Sequence, residues 1–430
     1  MKVAICTLGC KVNQYESQAM ERELLRRGHA LAEFDAPADA YIINTCTVTA
    51  VSDKKCRNLI RRARKQAPEA VVAVCGCYAQ TDPQAVAELG VDLVSGSAGR
   101  MDFLDRLEGQ LASRGAPVVA VDRAMARREF ERLSPGGPAG RTRAMLKVED
   151  GCAYFCTYCI IPYARGPVRS LPMAEAVDQA RQLQEAGYRE LVLTGIELSS
   201  WGRDLAGRPT YLELIEAVCR AVPGMRVRLG SLEPRTVTPE FCRRASALPN
   251  LCPHFHLSLQ SGCDATLARM RRGYDSKRYE QSIQLLRAAF PDPGITTDLI
   301  VGFPQETQEE FDQSLAFVSR CGFSAMHIFP YSPRPGTPAA DMDGQVPKPV
   351  KEARVQAAAQ VADELRQAYL ERQVGRTVPV LFEEQRDGLW QGHAPNYVLV
   401  RAEGEGLHNQ VRSVRLIAAD NDGLLGELIP

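Results

Sequence analysis

The sequence predicts an α/β protein built from three parts: an N-terminal doubly wound parallel sheet, a central partial (β/α)6 barrel and a small C-terminal antiparallel β-barrel. Short β-branched segments alternate with helical patterns over residues 1–120, and the alternation restarts at 144. Alternating strands and helices predict parallel sheets. The last sixty residues carry short apolar segments separated by Gly, Asp and Asn, which predict hairpin-connected strands. We therefore expect domains at 1–120, 144–370 and 371–430, with a linker at 121–143.

The amino-acid composition indicates the general class of protein. The chain has 430 residues, of which 45% are hydrophobic and 24% charged, as in an ordinary globular protein. Lys and Arg number 52, as do Asp and Glu, so the net charge indicates no class of partner. The sequence shows no signal peptide and no run of about 18 apolar residues that could cross a membrane. We therefore expect a cytoplasmic protein without membrane contact, in which the 14 cysteines are metal ligands and core thiols rather than disulfides.

The N-terminal part is expected to contain four strands, each followed by a helix. The expected strands are Lys2–Cys6, Tyr41–Ile43, Ala70–Cys75 and Asp92–Val94. The expected helices are Glu16–Arg27, Ser52–Gln66, Pro83–Leu89 and Met101–Leu111. Residues 121–143 are polar, rich in arginine and interrupted by Pro-Gly-Gly-Pro at 135–138, which is typical of a linker.

The central part is expected to contain six βα units, fewer than the eight that close a standard barrel. Its expected strands are Ala144–Val148, Glu190–Thr194, Met225–Gly230, His254–Leu259, Ile295–Val301 and Ala325–Pro330. One long helix, Lys351–Gln373, then leads to the C-terminal part. The strands expected there are Val378–Glu383, Leu389–Trp390, Tyr397–Ala402, Val411–Ala418 and Leu424–Ile429.

The most informative motif is Gly-Cys-Ala-Tyr-Phe-Cys-Thr-Tyr-Cys, in which Cys152, Cys156 and Cys159 have the spacing CxxxCxxC. Iron–sulfur clusters are usually held by four cysteine thiolates. Three thiolates leave one iron open to a ligand that is not protein, and in this spacing the usual occupant is S-adenosylmethionine. The alternative is three core cysteines on one helix face, because positions i, i+4 and i+7 share a face. Gly151 and the Ile-Ile-Pro at 160–162 favour a loop instead.

A second set of cysteines, Cys10, Cys46 and Cys77, is dispersed in sequence, but each follows a predicted strand. The carboxyl ends of parallel strands meet at one edge of the sheet, where open α/β sheets bind ligands. A second three-cysteine metal site is therefore expected there, with core thiols as an equally open alternative. Zinc is a competing metal, although structural zinc takes four ligands and His29 is the only histidine in this region.

Seven motifs along the chain occur together in one known family. They are Thr7-Leu-Gly-Cys-Lys-Val-Asn-Gln-Tyr-Glu-Ser17, Asn44-Thr-Cys-Thr-Val48, Gly76-Cys-Tyr-Ala-Gln80, Asp150-Gly-Cys-Ala-Tyr-Phe-Cys-Thr-Tyr-Cys-Ile-Ile-Pro-Tyr-Ala-Arg-Gly166, Leu257-Ser-Leu-Gln-Ser-Gly262, Asp298-Leu-Ile-Val-Gly-Phe-Pro304 and Tyr331-Ser-Pro-Arg-Pro-Gly-Thr337. In this combination the chain resembles the radical S-adenosylmethionine (radical SAM) methylthiotransferases over nearly its whole length. The central part is then a radical SAM barrel, and the last domain a TRAM module that binds RNA.

The resemblance implies two [4Fe-4S] clusters. Cys152, Cys156 and Cys159 would hold the cluster that binds S-adenosyl-L-methionine. The set at Cys10, Cys46 and Cys77 would hold an auxiliary cluster. The implied chemistry is radical insertion of a methylthio group into an unactivated C–H bond, with the cofactors doing the difficult step. An external one-electron donor, such as a flavodoxin or ferredoxin, is an implied partner.

The Lys-Val-Asn-Gln-Tyr-Glu-Ser form of the first motif resembles the branch that acts on N6-threonylcarbamoyladenosine in tRNA, next to the anticodon. The implied product carries the methylthio group at position 2 of that base. Isopentenyladenosine in tRNA or a ribosomal protein is the alternative acceptor within the family. An alternative from another class is a non-catalytic iron–sulfur protein that binds RNA and senses redox state.

Five residues near the expected mouth of the barrel are candidate cofactor contacts. Tyr158 lies between two cysteines and is expected near the adenine of S-adenosylmethionine, with simple packing as the alternative. Gly195 and Glu197 follow the second barrel strand, where related enzymes contact the methionyl amino group, although Glu197 also suits a solvated carboxylate. Gln260 and Asp298 end the fourth and fifth strands, where functional groups cluster, and structural hydrogen bonding is their alternative role.

Positive charge is concentrated in the predicted helix that follows Cys46. Seven basic side chains in twelve positions would attract phosphate, and a solvated helix face is the alternative. They are Lys54, Lys55, Arg57, Arg61, Arg62, Arg64 and Lys65. Residues 371–430 contain six Arg, no Lys and nine Asp or Glu, which argues against strong phosphate binding by the last domain.

One motif departs from the family pattern. Gly-Phe-Pro-Gly-Glu-Thr is replaced by Gly-Phe-Pro-Gln-Glu-Thr, with Gln305 at the second glycine. Glycine alone adopts positive φ freely, so a side chain at this position is expected to affect the loop after the fifth barrel strand.

Overall fold

The structure is a computed structural model that describes residues 1–137, 140–420 and 422–429. Within these ranges no helix is both long enough and apolar enough to span a membrane. Pro138, which ends the Pro-Gly-Gly-Pro stretch of the expected linker, lies outside the described residues, as does Ala139.

The N-terminal part is the doubly wound parallel sheet that the sequence predicts. Its strands are β1 (Lys2–Thr7), β2 (Ala30–Ala32), β3 (Ala40–Thr45), β4 (Val71–Gly76), β5 (Leu93–Ser95) and β6 (Val118–Ala120). Its helices are α1 (Lys11–Arg26), α2 (Ala50–Gln66), α3 (Cys77–Thr81), α4 (Pro83–Ala87) and α5 (Arg100–Ala112). The strands pair in parallel in the order β2-β1-β3-β4-β5-β6. Nothing in the sequence pattern indicates the edge strands β2 and β6, because three residues are too few to show a period.

Both faces of this sheet are buried. Ile43 and Val74 belong to a core formed with α2, whereas Ile42 and Ala73 belong to a separate core formed with α1 and α5. Neighbouring residues of a strand point to opposite faces, so each strand contributes to both cores. This two-sided burial explains why the strands are continuous apolar runs in the sequence.

The central part is an open barrel of parallel strands surrounded by helices. Its strands are β7 (Arg143–Lys147), β8 (Glu149–Asp150), β9 (Arg169–Ser170), β10 (Glu190–Thr194), β11 (Arg226–Leu229), β12 (Ser231–Leu232), β13 (His254–Leu257), β14 (Gly294–Val301) and β15 (Ala325–Pro330). Its helices are α6 (Ile161–Arg165), α7 (Met173–Glu185), α8 (Tyr211–Ala221), α9 (Pro239–Ala245), α10 (Asp264–Arg269), α11 (Ser276–Ala289), α12 (Gln308–Cys321) and α13 (Lys348–Gln373). The barrel strands pair as β7-β10-β11 and β12-β13-β14-β15, while β8 and β9 form a short antiparallel pair beside them.

A bend in the third predicted strand joins the two halves of the barrel. Strand β11 pairs with β10, and β12 pairs with β13, with Gly230 between them. A Cβ at Gly230 would lie 2.9 Å from the carbonyl oxygen of Leu193 and 2.9 Å from Leu198 Cδ1. A side chain would therefore not fit at the bend. The six predicted βα units are present, and the partial barrel is confirmed.

The C-terminal part is a closed five-stranded barrel. Its strands are β16 (Thr377–Arg386), β17 (Leu389–His393), β18 (Leu399–Ala402), β19 (Val411–Asp420) and β20 (Gly423–Leu428). They close in the order β16-β17-β18-β20-β19. The prediction of an antiparallel barrel is correct for every pair except β18 with β20, which is parallel.

Tyr397 fixes the C-terminal barrel against the central one. Its ring stacks on His393 at 4.6 Å between centroids, and the guanidinium of Arg228 lies 4.7 Å from the ring centre. Arg143, at the start of β7, donates a 3.1 Å hydrogen bond to the Tyr397 hydroxyl and forms a 2.6 Å ion pair with Glu383. These contacts place the turn before β18 at the edge of the central cavity.

The segment expected as a linker packs across the junction between the first two parts. Phe130 and Leu133 are buried, and the Tyr15 hydroxyl donates a 2.9 Å hydrogen bond to the Leu133 carbonyl. Arg127 donates a 2.6 Å hydrogen bond to Gln80. The described part of this segment therefore makes specific contacts rather than running free through solvent.

The loop after the fifth barrel strand accommodates the unusual glutamine. Gln305 adopts φ 65°, the left-handed region in which glycine is least strained. Its backbone N–H donates a 2.8 Å hydrogen bond to Gly344. The glutamine thus occupies the conformation that the glycine of the family pattern would adopt most readily.

A buried cluster of charges joins the N-terminal sheet to the central barrel. Glu16, on α1, has a fully buried side chain that contacts three cations. Arg100 lies 2.7 Å from it, Lys147 lies 3.3 Å away, and Arg165 makes a short ion pair. Burial acts to raise the pKa of Glu16, but the three cations hold it well below its usual range.

A second carboxylate, on the barrel side, shares two of these cations and contacts a further arginine. Asp150 lies 3.3 Å from Lys147, 3.3 Å from Arg169 and 3.5 Å from Arg165. Burial acts to raise the pKa of Asp150, but these cations lower it. Removing one partner from a buried ion network leaves an uncompensated charge, which is strongly destabilising.

We therefore predict that Glu16→Gln lowers stability by about 3–5 kcal/mol, because three buried cations lose a shared partner. Urea unfolding of the protein at pH 7, followed by tryptophan fluorescence and circular dichroism, measures the change. The control is Asp178→Asn, which breaks an exposed ion pair with Arg181 and should cost about 0–1 kcal/mol. Equal unfolding midpoints for the two variants would contradict the prediction.

Candidate active site

The CxxxCxxC segment is a loop between β8 and α6, as the sequence predicts. Gly151 and Phe155 have φ 91° and 46°, values that a right-handed helix does not allow. A Cβ at Gly151 would lie 2.0 Å from the carbonyl oxygen of Pro167, so only glycine fits there. The alternative of three cysteines on one helix face is therefore wrong.

The three cysteine side chains of this loop lie close enough for their charges to interact. Burial, followed by the thiolate charges of Cys159 and Cys156, raises the pKa of Cys152. Burial also raises the pKa of Cys159 to about 12, with Cys156 contributing. Arg272 Nη1 donates a 3.3 Å hydrogen bond to the sulfur of Cys156. Three close thiols beside one cation are a suitable donor set for a cluster that binds thiolates.

The second set of cysteines is also brought together. Cys10 precedes α1, Cys46 follows β3, and Cys77 begins α3, so all three lie at the carboxyl ends of adjacent strands. Gly9 has φ 112°, and a Cβ there would lie 3.1 Å from the sulfur of Cys46. Burial raises the pKa of Cys77 to about 12, and the thiolates of the other two cysteines add to this effect.

Across the part of the chain that the structure describes, no group of three or more His, Cys, Asp or Glu side chains is arranged to hold a single metal ion. The sulfur ligands of a single zinc ion lie about 4 Å apart. The ligands of a four-iron cluster bind separate irons and therefore lie farther apart.

A segment after β15 connects the two cysteine regions. Arg334 is buried, donates a 2.6 Å hydrogen bond to the Thr47 hydroxyl, and forms a 2.6 Å ion pair with Asp53. Ala339 donates a 2.9 Å hydrogen bond to the carbonyl of Thr157, within the CxxxCxxC loop. The motif from Tyr331 to Thr337 was a signal in the sequence, but only the structure shows that Arg334 positions the Cys46 loop.

Two adjoining cavities lie between the cysteine sets. The smaller one, about 300 Å³, is lined by Thr49, Tyr158, Cys159 and Asp298, among others. The larger one, about 650 Å³, is lined by Cys10 and again by Asp298. One cysteine of each set therefore lines one of these cavities, Cys10 the larger and Cys159 the smaller, and Asp298 lines both at the carboxyl ends of the strands, where α/β barrels bind their substrates.

The structure places four of the five candidate cofactor contacts on these cavities. Tyr158 and Gln260 line the smaller one, Gly195 lines the larger, and Asp298 lines both. The carboxylate of Glu197 is instead engaged locally, since it accepts hydrogen bonds from the Ser199 N–H and the Ser200 hydroxyl. Its charge still contributes to raising the pKa of Cys152, after burial and the nearest thiolate.

Two interactions restrain these candidates. A Cβ at Gly195 would lie 2.8 Å from Glu149 Oε2, so a side chain would collide with that carboxylate. Asp298 Oδ2 lies 3.3 Å from His256 Nε2, which contacts the larger cavity as well. Gln260 has φ 71°, and its N–H donates a 2.9 Å hydrogen bond to the carbonyl of Asp298.

Glu149 is a site residue for which the sequence carries no signal. Its side chain is fully buried at the end of the first barrel strand, and Oε2 accepts a 2.7 Å hydrogen bond from the Glu197 N–H. Within the described residues, Oε1 has no hydrogen-bond partner. Burial raises the pKa of Glu149 well above its usual range. Glu149 thus holds the turn that contains Gly195 and Glu197.

The basic helix is α2, which begins just after Cys46. Its seven basic side chains do not share one role. Arg64 is committed to the fold, since it forms a 2.6 Å ion pair with Asp92, and Arg57 packs against Tyr78. Arg62 makes an ion pair with Asp35. The remaining four project into solvent: Lys54, Lys55, Arg61 and Lys65.

Two family models match the chain. Residues 2–96 match the uncharacterized protein family UPF0004, and residues 146–318 match the Radical SAM superfamily. The chain is 38% identical to threonylcarbamoyladenosine tRNA methylthiotransferase MtaB of Bacillus subtilis (strain 168), over 97% of this chain and 94% of that protein. It is 37% identical to the protein of the same name of Aquifex aeolicus (strain VF5), over 94% and 97%. It is 32% identical to tRNA-2-methylthio-N(6)-dimethylallyladenosine synthase of Symbiobacterium thermophilum, over 100% and 94%.

Solved structures share the fold at low sequence identity. The radical S-adenosylmethionine methyltransferase TsrM from Kitasatospora setae superposes with a TM-score of 0.57 at 15% identity, over 85% of this chain and 88% of that one. The cobalamin-dependent S-adenosylmethionine radical enzyme OxsB gives 0.53 at 13% identity, over 84% and 56%. At these identities the likeness concerns the fold alone.

The open barrel and its matched domain define a radical SAM enzyme. The N-terminal sheet matches the other family model, UPF0004. Relatives that align over nearly the full length are named methylthiotransferases. The chain belongs to the radical SAM methylthiotransferase family.

We predict that Glu149→Gln raises the melting temperature of the metal-free protein more at pH 8 than at pH 5. The folded state binds a proton at Glu149 more tightly than the unfolded chain does, so its contribution to stability decreases as pH rises above the unfolded pKa. Glutamine keeps the acceptor for the Glu197 N–H and removes this penalty. Thermal unfolding of both proteins across this pH range measures the effect. Glu185→Gln, on an exposed helix end, is the control, and a pH-independent difference for Glu149→Gln would contradict the prediction.

Proposed function

We propose that this enzyme inserts a methylthio group at position 2 of N6-threonylcarbamoyladenosine in tRNA, next to the anticodon. The observation that carries the proposal is the pair of three-cysteine sets that open onto adjoining cavities with Asp298 in common. The choice of base is supported by relatives named for threonylcarbamoyladenosine, which are 33–38% identical, against 31–33% for relatives named for dimethylallyladenosine.

The residues present suit the cofactors of such a reaction. We assign Cys152, Cys156 and Cys159 as the residues that would hold one [4Fe-4S] cluster, the one that would bind S-adenosyl-L-methionine. We assign the other set, Cys10, Cys46 and Cys77, to a second [4Fe-4S] cluster. When bound, these groups supply the radical cleavage of S-adenosylmethionine and the sulfur that is transferred.

The chain itself positions the reactants and excludes water. Arg272 places a positive charge beside the sulfur of Cys156, to which its Nη1 donates a 3.3 Å hydrogen bond. Tyr158 and Ile300 form an apolar wall of the smaller cavity, suited to a flat base or adenine ring. Asp298 lines both cavities, and its carboxylate suits a polar group of either ligand.

The proposed partners follow from the surface and the chemistry. Helix α2 presents four solvent-exposed cations next to the Cys46 loop, which suits the phosphates of a tRNA anticodon arm. The C-terminal barrel is the candidate TRAM module, and its acidic composition favours reading RNA shape over binding phosphate. An external one-electron donor, such as a flavodoxin or ferredoxin, supplies the reducing equivalent.

The proposal is tested with protein reconstituted anaerobically. It should hold about eight irons, release 5′-deoxyadenosine when reduced with S-adenosylmethionine, and methylthiolate an anticodon stem-loop that carries N6-threonylcarbamoyladenosine. Nucleoside mass spectrometry detects the product. Turnover only on an isopentenyladenosine stem-loop or a ribosomal protein would assign another acceptor. Iron without release of 5′-deoxyadenosine would indicate a non-catalytic redox sensor.

Cysteine variants serve as the controls of this assay. Cys156→Ala should abolish release of 5′-deoxyadenosine, whereas Cys46→Ala should retain it and lose the methylthio product. Each should lose about four irons. Cys242→Ala removes a buried thiol on α9 that lines neither cavity, and it should retain all three properties. Equal loss of cleavage in the first two variants would contradict the assigned roles.

We predict that replacing Lys55 and Arg61 together by Gln weakens tRNA binding and makes it less dependent on salt. Each cation that no longer neutralises a phosphate reduces the slope of log K against log salt by about 0.7–0.9, so the slope should fall by about 1.5. Fluorescence anisotropy with a labelled stem-loop at several salt concentrations measures it. Lys348→Gln, at an exposed end of α13, is the matched control. An unchanged slope in the double variant would show that α2 is only a solvated surface.

A further inference from the structure

Lys11 places a positive charge directly after Cys10 in the chain, and no group among the described residues neutralises it. The residue follows Cys10 and lines the larger cavity with it. Among the described residues, no hydrogen bond or ion pair engages its ammonium, and the side chain is open to solvent. Helix α1 begins at Lys11, where the positive end of the helix dipole disfavours a cation. Helix stability therefore does not account for a lysine here.

The acids nearest to Lys11 are already paired with other cations. Glu190 accepts two hydrogen bonds from Arg228, at 2.8 and 2.9 Å. Glu383 forms its 2.6 Å ion pair with Arg143, and Glu384 forms a 2.9 Å ion pair with Arg386. The recess around Lys11 therefore carries excess positive charge and suits an anion from outside the chain.

The cavity beside Lys11 has the size and lining of a nucleoside site. At about 650 Å³ it lies within the range of small-molecule sites in proteins. Asp298 and His256 line it from the barrel strands, and Cys10 lines it from the N-terminal part. A base that enters this cavity therefore meets both a cysteine of the first set and polar groups of the barrel.

The chemistry of the base determines what must lie near the sulfur site. In adenine, C2 and C6 are both bonded to N1, so a substituent on N6 that turns toward N1 lies along the same edge as C2. When C2 faces the set that contains Cys10, the end of that substituent reaches the surroundings of the same set. The threonylcarbamoyl group ends in a carboxylate, whereas an isopentenyl group is apolar and uncharged.

We propose that Lys11 is a specificity-determining residue that binds the carboxylate of the threonylcarbamoyl group and so selects this base over one with an apolar N6 substituent. The inference rests on the function proposed above. The preference comes from a charge-assisted hydrogen bond to an ammonium that no acid among the described residues engages. An isopentenyl group would leave the ammonium without a partner, which penalises that substrate as well.

The test compares three stem-loops: one with N6-threonylcarbamoyladenosine, one in which its carboxylate is replaced by a primary carboxamide, and one with isopentenyladenosine. The reconstituted enzyme, Lys11→Gln, Lys11→Arg and Lys277→Gln are measured on each. The readouts are kcat/KM for the methylthio product and, without S-adenosylmethionine, the Kd from fluorescence anisotropy. Lys277, an exposed residue at the start of α11, serves as the control.

The wild type should prefer the carboxylate over the carboxamide by about tenfold to a hundredfold. Lys11→Gln should lose this preference in both kcat/KM and Kd, while Lys11→Arg and Lys277→Gln should retain it. Equal weakening of all three stem-loops by Lys11→Gln would show that Lys11 binds an RNA phosphate, and the inference would be wrong. A preference that survives in Lys11→Gln would also overturn it.

These outcomes are distinct from failure of the proposed function. If the wild-type enzyme does not modify the threonylcarbamoyladenosine stem-loop but modifies another acceptor, the proposed function fails, and the inference fails with it. If the wild type modifies that stem-loop and Lys11→Gln discriminates equally well, only the role of Lys11 is refuted.

Discussion

The ion pair between Glu16 and Arg165 is the constraint on which the catalytic arrangement depends. Glu16 lies on α1, which begins immediately after Cys10, and Arg165 ends α6, which follows Cys159 closely. One fully buried contact therefore sets the distance between the two cysteine regions. Arg165 also donates a 2.6 Å hydrogen bond to Asn13, whose amide binds the carbonyls of Leu8 and Thr45 beside the first set. Burial of these charges has a desolvation cost. In return, the contact fixes the geometry between the two domains.

The larger cavity exists because all three parts contribute walls to it. The N-terminal sheet supplies Cys10, the central barrel supplies Asp298, and the C-terminal barrel supplies Tyr397. Arg334 reaches from the barrel into the N-terminal part and positions the Cys46 loop. Arg165 positions the region of Cys10 in the same way. A reaction that moves a group between two sites needs such rigid connections, because small misplacement of reactants is costly in rate. The C-terminal barrel thus has a structural part in the site, whatever its contact with RNA.

Much of the fold and the grouping of the cysteines followed from local pattern. Apolar runs separated by amphipathic helices predicted the parallel sheets, because burial on both faces requires continuous apolar strands. The cysteine at the end of each strand was predicted to meet its partners, because parallel strands end at one edge. The parallel closing pair, β18 with β20, and the bend at Gly230 were not predictable, since both depend on contacts between distant segments.

The sequence by itself determined the three-part architecture, the two sets of cysteines and the family, because each of these depends on periodicity or on residue spacing within short segments. Only the tertiary structure decided which charged residues are available for function. Arg64 and Glu197 are held by neighbouring groups, Lys11 is left unpaired among the described residues, and Glu149 is buried with one oxygen unsatisfied there. The role of a charged side chain depends on which other groups surround it, and those groups come from segments that are remote in the chain.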